Sequence, residues 1–291
     1  MTPCHVLEFV TPKKLALHGL WFGPKRPKRV IIYIHGLAAS AFQRDLAEHW
    51  VDTYTAVITF SNRGHDKITK VRRLDNSKKG YHSVPAGESH EIFTDCVDDI
   101  EGAVRFARKQ GVREIYLAGH STGCQKSVYY ASRKPNRAVR GLILLAPISD
   151  YSSTLWQYGK RKVARATAVA RALVRKGRKH ELLPHAVWQD VLDAQRFLSL
   201  YTPESAEEVF SYARPERQPR TLKKVRVPML VLMAGKDEHG DLPATEIAKW
   251  FARHVPKGRV HTGVIPNVLH GFRGGEKKVA SLVRRFITQK K

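Results

Sequence analysis

The apolar run Ile115-Tyr116-Leu117-Ala118 leads directly into Gly119-His120-Ser121-Thr122-Gly123 and then into the helix-compatible stretch Cys124-Gln125-Lys126-Ser127-Val128-Tyr129-Tyr130. No other part of the 291-residue chain constrains its fold so strongly. A short apolar run reads as a buried strand. A helix that starts immediately after it requires a sharp turn, and a small residue two places before and two places after the apex lets the strained backbone pack. Gly119 and Gly123 meet that requirement, and Ser121 at the apex has its hydroxyl lifted above the sheet as a candidate nucleophile. The bare pattern arises by chance often enough that the strand before it and the helix after it carry the argument.

The rest of the chain supplies the matching alternation. Val6–Val10 and Leu15–Phe22, separated by Pro12-Lys13-Lys14, read as an opening antiparallel hairpin. Continuous apolar runs follow at Val30–Ile34, Ala56–Phe60, Ile115–Ala118, Leu142–Ala146, Met229–Met233 and Val260–Ile265. Unbroken apolar runs mark strands buried on both faces, as in a parallel sheet covered by helices. Between them, Glu91–Lys109, Ala244–Arg253 and Glu276–Thr288 repeat apolar residues at helical spacing. Strands alternating with helices predict a doubly wound, mostly parallel α/β sheet. The interval 150–220 breaks the rhythm, being helical in composition with no strand candidate. The expected organisation is a core formed by 1–149 and 221–291, with 150–220 as a helical cap inserted after the sixth strand.

Chain order tests the serine, because this kind of sheet places an acid and then a histidine after the nucleophile. Met229–Ala234 is an apolar strand that runs into Gly235-Lys236-Asp237-Glu238. A carboxylate at the strand end can orient an imidazole and stabilise its charged form. Asp237 is the first choice, with Glu238 and Asp241 as alternatives. His270, in Pro266-Asn267-Val268-Leu269-His270-Gly271-Phe272 between the last strand and the last helix, is the candidate general base. His261 lies within a strand and is less mobile. An oxyanion hole requires two backbone N–H groups, one from the residue after the nucleophile and one from an early strand-end loop. Thr122 and Leu37, the latter in Ile34-His35-Gly36-Leu37-Ala38, are the candidates. His35 is read as shaping its loop, His120 as pointing away from the serine hydroxyl, and Cys124 as a small buried packing residue.

Other chemistries find little support. There is no G-x-G-x-x-G, P-loop or H-E-x-x-H string, and Cys4, Cys96 and Cys124 form neither a C-x-x-C pair nor a disulfide framework. No metal or organic cofactor is expected. The apolar runs are far shorter than the roughly 18 residues of a membrane span, and the first residues lack the pattern of a signal peptide, so a cytoplasmic location is expected. The unusual quantity is the formal charge of +25, from 51 Lys and Arg against 26 Asp and Glu. A field of that sign attracts nucleic acid, anionic membrane and acidic metabolites without choosing among them.

With these residues in place, the chain resembles the α/β-hydrolase superfamily across almost its whole length. Within it, Gly119-His120-Ser121-Thr122-Gly123-Cys124-Gln125, Phe60-Ser61-Asn62-Arg63-Gly64-His65 and Asp95-Cys96-Val97-Asp98-Asp99-Ile100 resemble a family that includes fungal siderophore-ester hydrolases and microbial relatives. The resemblance implies an ester substrate. One departure is Asn62-Arg63-Gly64-His65-Asp66, where many relatives carry Asp-x-x-Gly-x-Gly after the fourth strand.

The expected function is cleavage of carboxylic esters by Ser121, His270 and Asp237 through an acyl-enzyme. Lactones and thioesters share the tetrahedral intermediate and stand as alternatives. A reading from another class is an idle hydrolase fold that serves as a basic binding module. Between Tyr151 and His180 there is no acidic residue but nine Lys and Arg, with Val163, Ala166, Ala170 and Leu173 near one helical face. This bias suggests an anionic or interfacial substrate. The cap aromatics Trp188, Phe197, Tyr201, Phe210 and Tyr212 either line an acyl pocket or pack the cap onto the body.

Overall fold

The computed structural model describes residues 3–43 and 45–289. Its strands are β1 (Cys4–Val10), β2 (Leu15–Phe22), β3 (Arg29–Ile34), β4 (Thr55–Phe60), β5 (Thr69–Leu74), β6 (Tyr81–Ala86), β7 (Glu114–His120), β8 (Val139–Leu145), β9 (Met229–Ala234) and β10 (Val260–Ile265). They form one ten-stranded sheet in the order β10-β9-β8-β7-β3-β4-β2-β5-β6, with β1 paired to β2. The pairs from β4 through β3, β7, β8 and β9 to β10 are parallel. The β1–β2, β2–β4, β2–β5 and β5–β6 pairs are antiparallel.

Along the parallel strands, successive side chains enter opposite cores. Ile32, Ile34, Leu142 and Leu144 belong to one buried cluster, whereas Ile31, Tyr33, Ile143 and Leu145 belong to the other. The first face is covered by α1 (Cys96–Lys109), α2 (Thr122–Arg133) and later α7 (Ala244–His254), which contribute Ile100, Val104, Val128, Ile247 and Phe251. The second is covered by the short turn Ala47–Trp50 and by α8 (Glu276–Thr288), through Trp50, Val279, Val283 and Phe286. Burial on both faces is why these strands read as continuous apolar runs.

The hairpin β5–β6 is absent from the sequence reading, and it moves the helical insertion from after the sixth strand to after the eighth. Thr69-Lys70-Val71-Arg72-Arg73-Leu74 buries only Val71, so its charges hide the alternation that marks a strand. The strand that ends the sheet on this side is β6, which buries only Ala86, and half-exposed polar edge strands discourage pairing with another chain. The helix expected from Glu91 begins at Cys96, after a 3-10 turn at Phe93–Asp95.

Between β8 and β9 lie α3 (Asp150–Tyr158), α4 (Lys160–Arg175), α5 (Ala194–Tyr201) and the short α6 (Arg220–Lys223). Val163, Ala166 and Ala170 of α4 are buried with Trp188, Phe197, Leu200 and Tyr201 in a third cluster, and Leu173 packs on it. The aromatic rings of Trp188, Phe197 and Tyr201 meet at centroid distances of 5.1–5.4 Å. Phe210 and Tyr212 instead pack on Phe251 and Trp250 of α7, at 5.2 and 6.1 Å, so the chain has rejoined the body by that point.

Two buried charge networks fix the loops around the strand ends. Arg63, just after β4, bonds to Asp99 at 2.6 Å, Asp98 at 2.7 Å and Asp95 at 3.0 Å at the start of α1. The Asn62–Asp66 and Asp95–Asp99 strings are therefore two halves of one ionic staple. In the second network Lys126 of α2 meets Glu91 at 2.6 Å, and Arg196 of α5 meets Glu91 at 2.9 Å and Glu207 at 2.6 Å. A fully buried ion is costly unless paired, and these charges compensate one another across α2, α5 and the loop before α1. The charges of Lys126 and Arg196 hold the Glu91 carboxyl down at about 2 despite burial, which acts to raise it.

Candidate active site

The order of the strands places the site. From β3 the chain goes to β4 on one side, then returns to the other side of β3 with β7, so the loops after β3 and β7 diverge at a topological switch. Ligands of open α/β sheets bind in the crevice formed there, at the carboxyl ends of the strands. Ser121 follows β7, and Gly36 follows β3.

Ser121 has φ 54 and ψ −127, a strained backbone for a residue with a side chain. The flanking glycines are required by contact. A Cβ at Gly119 would lie 2.2 Å from the Gly123 carbonyl oxygen, and one at Gly123 would lie 2.0 Å from that of Ile34. Gly36 is also tightly placed, since a Cβ there would stand 2.9 Å from the Ser121 Cβ. The loop after β3 is thus pressed against the serine. Leu37 lines the pocket that contains Ser121, and Thr122 is the fully buried first residue of α2.

His270 sits in the loop after β10, 7% exposed. Its Nδ1 lies 2.9 and 3.0 Å from the two carboxylate oxygens of Asp237, which follows β9. Asp237 also accepts the backbone N–H of His239 at 3.0 Å. Burial acts to raise the Asp237 carboxyl, but the His270 hydrogen bond and charge prevail and hold it below the usual carboxylate range. The alternatives are engaged elsewhere. Glu238 accepts the backbone N–H of His270 at 2.8 Å, and Asp241 accepts the Tyr212 hydroxyl at 2.9 Å. His261 is on β10, facing Phe286.

His35 shapes its loop as expected: with Nδ1 donating to the Gly36 carbonyl at 2.8 Å, Nε2 accepts the Asn62 N–H at 3.1 Å. Burial, aided by Lys126, lowers this imidazole to about 3, so it stays neutral. His120 turns to the His270 carbonyl at 3.0 Å, with the two rings 5.0 Å apart, yet it also lines the pocket. Burial and the His270 charge lower it to about 4. Cys124 is fully buried, its thiol at 3.1 Å from the Gly119 carbonyl.

The pocket, about 380 Å³, brings Ser121, His270 and Leu37 together with residues the sequence did not single out, among them His239, Asp150 and Asp190. The His239 ring stands edge-on to His270 at 4.9 Å. Only its place beside Asp237 in the acidic loop could have drawn notice to it. Of the five cap aromatics, Tyr201 alone lines this pocket. The basic side chains Lys160, Arg171 and Arg175 of α4 line a second groove, which shares Tyr201 with this pocket. Among the described residues, no group of three or more His, Cys, Asp and Glu side chains is disposed to hold a metal ion.

A family model described as "Protein of unknown function (DUF1749)" matches residues 89–289, well over half of the chain. The chain is 26% identical over 297 residues to the Fusarinine C esterase sidJ of Aspergillus fumigatus, covering 81% of this chain and 80% of that protein. Among solved structures, it superposes on the siderophore hydrolase EstB from Aspergillus fumigatus with a TM-score of 0.68 at 19% identity, over 100% of this chain and 99% of that one. Est1E from Butyrivibrio proteoclasticus, solved with ferulic acid bound, gives a TM-score of 0.63 at 18% identity, over 96% and 97% of the two chains. The structural likenesses show the α/β-hydrolase fold.

Proposed function

The chain belongs to the DUF1749 family and is a carboxylic ester hydrolase on the α/β-hydrolase fold, and from that premise we propose that it works by a Ser121–His270–Asp237 triad through an acyl-enzyme. The observation that carries the reading is the strained serine at the switch point, in one pocket with a histidine whose Nδ1 is 2.9 Å from a carboxylate. Nδ1–H donated to Asp237 leaves the other ring nitrogen free to act as a base.

In this mechanism Ser121 Oγ attacks the ester carbonyl carbon while His270 takes its proton. The negative oxygen that develops is received by the backbone N–H groups of Leu37 and Thr122, fixed dipoles that need no reorganisation as the charge forms. The tetrahedral intermediate collapses, the C–O bond to the alcohol breaks, and His270 returns the proton to the leaving oxygen. A water molecule, deprotonated by His270, then attacks the acyl-enzyme and releases the acid. Asp237 stabilises the imidazolium at both stages. The helical part of 150–220, from α3 to α5, acts as a cap that sets substrate choice, and the name of the Aspergillus fumigatus relative that is 26% identical, an esterase, favours an ester over a thioester or lactone.

Rapid mixing with p-nitrophenyl butyrate tests the reading. A burst of p-nitrophenolate close to one equivalent per chain, followed by slower turnover, is expected when deacylation limits the rate. No turnover above background with acetyl or butyryl esters, alongside turnover of a thioester or lactone, would move the activity to those substrates.

A further inference from the structure

Among the described residues, the pocket around Ser121 has a charge character opposite to that of the chain as a whole. Against a net charge of +25, the described residues that line it include two carboxylates, Asp150 and Asp190, and no lysine or arginine. Asp150 begins α3, just beyond the end of β8, and is 9% exposed. It is held from the nucleophile helix: Gln125, four residues after Ser121, donates from Nε2 to Asp150 Oδ2 at 2.7 Å and to the Ile148 carbonyl at 3.1 Å. The helix that presents the serine therefore also aims this carboxylate.

Among the described residues, Asp150 makes no ion pair of its own. Lys126 and Arg196 lie near enough to act on it, but their ion pairs are made with Glu91 and Glu207. Burial, with Glu207 and Glu208 beside it, pushes the carboxyl well above its usual range, against the pull of Arg196 and Lys126. Asp190 is only 3.7 Å from Lys67, which is closer to Glu88 at 2.8 Å. The Tyr201 phenol, which also lines the pocket, is raised by burial and by the charges of Asp150 and then Asp190.

We propose that Asp150, aimed by Gln125, is a specificity-determining residue that receives a cationic group, typically a primary ammonium, carried by the ester substrate. This rests on the esterase reading and names the substrate class for the same site. Burial disfavours the charged form of this acid, and a substrate ammonium restores it by supplying an opposite charge and hydrogen-bond donors together. A neutral isostere supplies no such charge, and sites built around a polar group discriminate strongly against analogues that lack it. The basic side chains Lys160, Arg171 and Arg175 of α4, which suggested anionic substrates, line a neighbouring groove that shares Tyr201 with this pocket.

The test compares kcat/KM for ethyl ε-aminocaproate with its N-acetylated form, and for 6-aminohexyl butyrate with its N-acetylated form. The first pair places the cation on the acyl side and the second on the alcohol side. The wild-type chain is expected to favour the cationic member of at least one pair by about tenfold or more. That ratio should fall toward one in Asp150→Asn and in Gln125→Met, the second of which keeps the carboxylate but removes the amide that aims it. If Asp150→Asn does not fold, the wild-type ratio and Gln125→Met still decide. Equal rates within both wild-type pairs, or a preference that survives both substitutions, would overturn the assignment. Turnover of the neutral esters in that case would leave the esterase reading intact, whereas no turnover of any ester and no labelling of Ser121 by a fluorophosphonate would remove both.

Discussion

Ser121→Ala is expected to lower kcat for p-nitrophenyl butyrate by about 10⁴- to 10⁶-fold while leaving the thermal midpoint within a few degrees of the wild-type value. The kinetic half follows from the proposed chemistry, because without Oγ there is no acyl-enzyme, and only binding and the oxyanion donors remain to assist water. The structural half follows from contacts. The turn is fixed by the Ser121 N–H bond to the Leu145 carbonyl at 3.0 Å and the Cys124 N–H bond to the Ser121 carbonyl at 2.9 Å, both backbone interactions that alanine keeps. The Cβ that packs beside Gly36 is also kept. Steady-state assays and circular dichroism melts measure the two halves. Activity within tenfold of wild type in a folded variant would contradict the assignment.

Asp237→Asn is expected to cost about 10²- to 10⁴-fold in kcat, again with the fold intact. Asparagine fits the space but offers an amide where His270 meets a carboxylate at 2.9 and 3.0 Å. If the amide NH₂ faces the ring, Nδ1 becomes the acceptor and the proton moves to the nitrogen that should act as base. The charge that stabilises the imidazolium is lost as well. Glu238→Gln and Asp241→Asn provide the contrast. Glu238 accepts the backbone N–H of His270 and does not touch its ring, and Asp241 serves Tyr212. Both should cost less than about tenfold in kcat. A loss at Asp241 that exceeds the loss at Asp237 would exchange their roles.

The parts of this site that could be read from the sequence are those set by local backbone rules. Ser121 was legible because a tight strand-to-helix turn demands glycine at both flanks, and those glycines are packed against backbone carbonyls. Asp237 and His270 were legible because each follows an apolar strand in the required order. Asp150, Gln125 and His239 were not, because nothing local distinguishes an aspartate that begins a helix from one that merely caps it. Its role depends on Gln125, 25 residues earlier, lying alongside it in space. The hairpin β5–β6 was hidden by its charges, and the Arg63 staple joins two strings that looked unrelated. The apolar face of α4 was legible from its periodicity, but the destination of its basic face was not. Periodicity fixes which side is buried and says nothing about which groove the other side lines.

The most direct test of the account is the position of a covalent adduct. The chain is inactivated with a fluorophosphonate, digested, and its peptides are mapped by mass spectrometry. The account predicts one phosphonyl group per chain, carried by Ser121, with labelling lost in Ser121→Ala and slowed in Asp237→Asn. A full-strength adduct on any other residue, or ester turnover that persists after Ser121 is fully labelled, would contradict it.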